Sequence, residues 1–107
     1  MTQGDIINLI TDSVASSGSV NYQPAAQNEW IIFAVGSEQF TADAAPNAVP
    51  HCRVNLTDGT EVATFLISTG QRMWTGYKIG VTNSIYIQVQ NNNASTADIS
   101  ISGVQTK

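Results

Sequence analysis

Tyr77-Lys-Ile-Gly-Val-Thr-Asn-Ser-Ile-Tyr-Ile-Gln-Val-Gln90 decides the fold class. Tyr77, Ile79 and Val81 alternate with Lys78 and Gly80; beyond Thr82-Asn83-Ser84, Ile85, Ile87 and Val89 alternate with Tyr86, Gln88 and Gln90. A period of two sends one set of side chains to a buried face and the other to water, which is the mark of a half-buried strand. Two such runs flanking a short polar turn predict an antiparallel hairpin. After Asn91-Asn92-Asn93 the alternation resumes, with Ile99 and Ile101 set against Ser100 and Ser102.

The same reading extends towards the N-terminus. His51-Cys-Arg-Val-Asn-Leu56 alternates with Cys52, Val54 and Leu56 inward, and Glu61 to Ser68 returns, with Val62 to Ile67 carrying the core. Asp58-Gly59 between them predicts a tight type I′ turn, because both central residues of that turn need positive φ. Glu29-Trp-Ile-Ile-Phe-Ala-Val35 is apolar on both faces, with Trp30, Ile32 and Ala34 pointing one way and Ile31, Phe33 and Val35 the other. A strand of that kind is covered on both sides, or presents one side to another subunit. Val20 and Tyr22 open a further strand that ends at Pro24, which has no N–H to give a ladder. Phe40 to Pro50 shows no period and reads as a long loop or crossing strand. Ile6, Ile7, Ile10 and Val14 fit a helical face, yet the β-branched content of Ile6–Val14 fits a strand equally well. Strand is favoured because everything downstream is β. The expectation is one all-β domain over 1–107: an antiparallel, jelly-roll-like β-sandwich of about seven or eight strands, with 1–15 as an N-terminal arm or edge strand.

Composition narrows the function classes. The chain has 107 residues, 42% of them hydrophobic, enough for one core. Charged residues are 11%, less than half the ordinary share of about 25%. A surface so poor in Lys and Glu lacks the usual protection against edge pairing and favours contact with neighbours. Arg53, Arg72, Lys78 and Lys107 are the only cations, and the net charge is −4. Four scattered cations make no basic stripe, so a nucleic-acid partner is not expected. No apolar run has the length of a membrane span, and no cationic leader precedes an apolar stretch at the N-terminus, so neither a membrane partner nor secretion is expected.

No catalytic or metal motif emerges. His51 is the only histidine and no carboxylates stand near it at ligand spacing. Adjacent strand residues face opposite ways, so His51 and Cys52 do not form a base–nucleophile pair. Asp58 and Glu61 belong to turn chemistry. The expectation is a protein that is not an enzyme and holds no cofactor. The residues left for contact are the apolar Ile6, Ile7, Leu9 and Ile10, as an oligomer or capsid interface, and Trp74 and Tyr86, as exposed aromatics for a glycan or protein.

Gly4 to Gly18, Val20-Asn-Tyr-Gln-Pro-Ala25, Glu29-Trp30 and the ending Asn91 to Lys107 together resemble a group of small tailed-bacteriophage virion proteins. That group has a strand, a Tyr-x-Pro-Ala turn, an aromatic strand and a Ser-Gly-x-Gln-x-Lys terminus. The resemblance covers both ends of the chain and fades between Gly36 and Met73. It implies a head decoration (cement) protein, trimeric, bound to the lattice of a major capsid protein on the virion surface, with no catalytic residues to carry over. The alternative is a carbohydrate- or receptor-binding module of a phage fibre or tail.

Overall fold

The computed structural model describes residues 2–37, 52–67, 73–74, 78–92 and 95–107, with only the backbone described over 64–67 and 73–74. The expectations for Phe40 to Pro50, His51 and Tyr77 fall outside these residues. Among the described residues there are nine strands and no helix: β1 (Ile6–Val14), β2 (Ser19–Tyr22), β3 (Glu29–Ser37), β4 (Cys52–Thr57), β5 (Val62–Ile67), β6 (Met73–Trp74), β7 (Ile79–Thr82), β8 (Tyr86–Asn91) and β9 (Ala97–Gln105). The count exceeds the expected seven or eight by the two-residue β6. Ile6–Val14 is a strand, and it lies at the edge of its sheet.

All pairs are antiparallel. One sheet runs β1-β9-β3-β6, with β7 also on β3; the other runs β2-β8-β4-β5. β9 occupies one side of β3 from Trp30 to Ser37, so β6 and β7 share the opposite side, β7 beside Glu29–Ile32 and β6 beside Val35–Gly36. The pairs nest: β1 with β9, β2 with β8, β3 with β7, and β4 with β5. Successive pairs fall in alternate sheets.

The hairpin expected over 77–90 does not form. Its two halves are strands, but β7 pairs with β3 in one sheet while β8 pairs with β2 and β4 in the other. Alternation reports that a strand has a buried face and is silent about its neighbour. The connection is a corner between sheets. The Thr82 N–H donates to the Ile85 carbonyl at 2.7 Å, and Thr82 Oγ1 accepts from the N–H groups of Ser84 and Ile85. Asn83 ties this corner to the end of β2, accepting from Gln23 Nε2 and donating to the Pro24 carbonyl.

One core joins the sheets. Ile7, Trp30, Ile32, Val35, Ile99 and Ile101 from the first pack with Tyr22, Cys52, Val54, Ile87 and Val89 from the second. Full burial of each large aliphatic chain contributes roughly 2–3 kcal/mol. Tyr22 also bridges the layers through its hydroxyl, which donates to the Ile99 carbonyl and shares a 3.0 Å bond with Thr11 Oγ1. Burial raises the Tyr22 pKa above its ordinary value, with the Thr11 bond opposing. Gly103 sits at the closest approach of β9 to β3: a Cβ there would collide with the Ile31 carbonyl oxygen and touch Ile32 Cδ1. Only glycine allows that spacing.

A buried amide locks one end of the sandwich. Asn91, fully buried at the end of β8, donates from Nδ2 to the carbonyls of Val14 (2.9 Å), Ala15 (3.3 Å) and Ser95 (2.9 Å). Its Oδ1 faces the Cys52 thiol at 3.7 Å, and its backbone exchanges bonds with Ser17 and Gly18. One side chain thus holds the β1–β2 turn, the β8–β9 connection and the start of β4.

Candidate docking face

The outer face of the first sheet is built in rows by its register. Ile6, Val104, Ile31 and Gly80 form one row across β1, β9, β3 and β7. Asn8, Ser102 and Ala34 form the next, and Ile10, Ser100 and Gly36 the third. The middle row is polar, with Ser102 Oγ donating to Asn8 Oδ1. Ile6 is 76% exposed, Ile10 75% and Phe33 39%. The charged residues Asp12, Asp98 and Glu29 lie along the strands beyond the first and third of these rows.

Phe33 shares the outer side of β3 with Ile31, and the strand is bulged at this point. The register shifts by one residue between Ile32 and Ala34 opposite β9. One extra residue reverses the facing of everything after it. Val35 therefore joins Trp30 and Ile32 in the core, and Ala34 joins Ile31 outside, the reverse of the expected sets for those two residues.

The four N-terminal apolar residues divide between the two faces of β1. Ile6 and Ile10 stand in the outer rows, whereas Ile7 is fully buried in the chain's own core and Leu9 packs against it. Ile7 and Leu9 thus turn away from the outer face, because alternation in a strand sends neighbours to opposite sides. Tyr86 is a correction. It lies on the outer side of β8 opposite Thr57, but it is 8% exposed, with its hydroxyl against the Gly59 turn, so it offers no ring to a ligand. The Trp74 backbone pairs with Val35; its side chain lies outside the described residues.

The β4–β5 loop is four residues long, 58–61, in place of the expected two. Gly59 has φ +94°, as expected of the glycine, and Asp58 takes an ordinary φ. The reason is side-chain bonding: Asp58 Oδ1 accepts from the N–H groups of Thr60 (2.9 Å) and Glu61 (2.7 Å), and Thr57 Oγ1 accepts from Gly59 N–H and donates to the Glu61 carbonyl. Such bonds substitute for a primed turn. They hold the Asp58 carboxyl below its ordinary pKa, the Glu61 N–H contributing most. Asp58 is thereby committed to the turn.

Beside this loop lies an open groove of about 210 Å³, lined by Leu56, Val62 and Ile85 with Asp58 and Glu61 at its lip. That volume is below the range of roughly 300–1,000 Å³ typical of small-molecule sites. A second cleft, about 360 Å³, opens where Glu29, Trp30 and Ile31 meet Gly80, Thr82 and Thr106. Among the described residues no group of three or more His, Cys, Asp or Glu is placed to hold a metal ion. Cys52 is buried in the core. No protein-family model matches the chain, and no curated protein matches it either.

Proposed function

We propose that the protein is a non-enzymatic structural component of a bacteriophage virion: a decoration (cement) protein that binds the outer surface of the capsid and stabilises it. It acts as a homotrimer that lays the outer face of the β1-β9-β3-β7 sheet on the lattice of major capsid protein. The observation that carries this reading is the exposure of Ile6, Ile10 and Phe33 on a sheet face whose central rows carry no charge. Covering Ile6 and Ile10 contributes roughly 4 kcal/mol before the cost of association. Three such faces in one trimer add avidity for a symmetric lattice. The nested strand order, 1-9-3-7 over 2-8-4-5, is read as that of a jelly roll, an architecture common in capsid proteins.

Sedimentation with capsids stripped of the protein tests the reading. The wild type is expected to co-sediment, and a variant with both Ile6→Asp and Ile10→Asp to remain in the supernatant with its melting temperature retained. A wild-type protein that ignores the capsids would overturn it. A second reading, a carbohydrate- or receptor-binding module of a fibre or tail, is favoured by the cleft that Glu29, Trp30, Thr82 and Thr106 help to line. Glycan binding lost on Thr82→Val would favour that reading.

A further inference from the structure

We infer that β1 is a pairing edge, and that its occupant is β1 of a second copy of this chain, joined antiparallel across a two-fold axis through Asn8. β1 is nine residues long and, among the described strands, pairs with β9 alone. Gln105 N–H donates to the Asp5 carbonyl where the two strands meet. Backbone groups alternate sides in an antiparallel ladder, so Ile7, Leu9 and Thr11 bond β9. Ile6, Asn8 and Ile10 then aim their N–H and C=O groups at the open edge. Long edges are ordinarily blunted by lysine, proline or an early bulge. The stretch 6–11 has none of these, and its bulge comes only after Thr11.

The sequence of the edge selects a copy of itself and sets the register. Bonding of outward-pointing groups requires paired residue numbers to sum to an even value. At a sum of 16, Ile6 faces Ile10 of the second copy, Ile7 faces Leu9, and Asn8 faces Asn8. The apolar pairs extend both the core layer and the outer rows across the junction. The acidic residues also avoid each other: Asp5 falls opposite Thr11 and Asp12 opposite Gly4. A contact of this kind is self-complementary and closes after two copies. It stands independently of the capsid reading; in a trimer, which has no two-fold axis of its own, it links one copy to a copy of the next trimer.

Two measurements test it on the full chain. The first is amide hydrogen exchange by NMR over a series of protein concentrations. Exchange at Ile6, Asn8 and Ile10 is expected to slow about threefold for each tenfold rise in concentration, as the free fraction of a monomer–dimer equilibrium falls. Exchange at Ile7 and Leu9, already bonded to β9, stays constant. Fast exchange at Ile6, Asn8 and Ile10 at every concentration would overturn the inference. The second is oxidation of an Asn8→Cys variant. Facing residues in a bonded pair lie about 5.5 Å apart at Cα, within the roughly 4.4–6.8 Å a disulfide spans. A covalent dimer is expected there and not with Asp12→Cys, and the native Cys52 is buried and does not compete. Equal cross-linking of the two variants would refute the register. Neither readout involves capsids, so a failed capsid-binding experiment leaves both intact.

Discussion

The two sheets are closed in different ways. In the first, β9 runs between β1 and β3, and its partners come from the opposite end of the chain: Ile6 lies beside Val104 and Trp30 beside Gln105. In the second, β4 and β5 are successive strands joined by four residues, and the loop is fastened by the side chains of Thr57 and Asp58. The seam depends on close backbone approach and buried contacts that exist only once the whole sandwich is assembled. The hairpin depends on bonds between residues a few positions apart. Stability therefore rests mainly on the seam, while the hairpin sets local geometry.

Changes at the seam are expected to cost most. Gly103→Ala drives a methyl group into the Ile31 carbonyl and should lower unfolding free energy by at least about 3 kcal/mol, read from denaturant midpoints. If the variant matches the wild type, β9 and β3 are not locked as closely as the register requires. Asn91→Ala comes next. It removes the amide donor shared by the carbonyls of Val14, Ala15 and Ser95, of which Ala15 keeps its bond from the Gly18 N–H, at a cost of about 2 kcal/mol. Asn91→Asp should not rescue it, because a carboxylate has no N–H to give.

The hairpin should respond less. Gly59→Val strains a residue at φ +94° and is expected to cost about 1 kcal/mol, measured as a fall in melting temperature. A larger loss than that of Gly103→Ala would reverse the contrast between the two regions. The smallest effect is acid dependence at Asp58. Its folded pKa lies below the ordinary 3.8, so its contribution is complete above that value and is lost as pH falls through the folded pKa. The stability gap between wild type and Asp58→Asn should thus be constant near neutrality and shrink below about pH 4. A gap that widens on acidification would contradict the bonding of Asp58 to Thr60 and Glu61.

What could be read from the residues follows the same division. Local signals succeeded: alternation marked the strands within 77–90 and 52–67, and Asp58-Gly59 marked a reversal of the chain. Partners did not follow, because β7 and β8 look like a hairpin until β3 and β2 compete for them. Ile6 and Ile10 stand on the exposed side of β1. Ile7 and Leu9 were not separable from them, since a strand apolar at four of five positions has no polar contrast to show its inner face. The Phe33 bulge carries no glycine or proline as a marker. Asn91 sits in a run of three asparagines that reads as a loop, and its burial depends on carbonyls from segments far away in sequence. Gly103 resembles a turn signal although it lies inside a strand.

The central place of β9 bears on how the protein is made. β1 and β3 never pair with each other; β9 lies between them. While a ribosome is still adding residues 97–105, both earlier strands lack the neighbour that will cover their inner edges. The first sheet cannot close until β9 has left the exit tunnel, so assembly waits on the C-terminal strand and proceeds through contacts of high sequence separation, which form slowly. With only 11% charged residues, the waiting chain carries few of the gatekeepers that keep exposed strands apart.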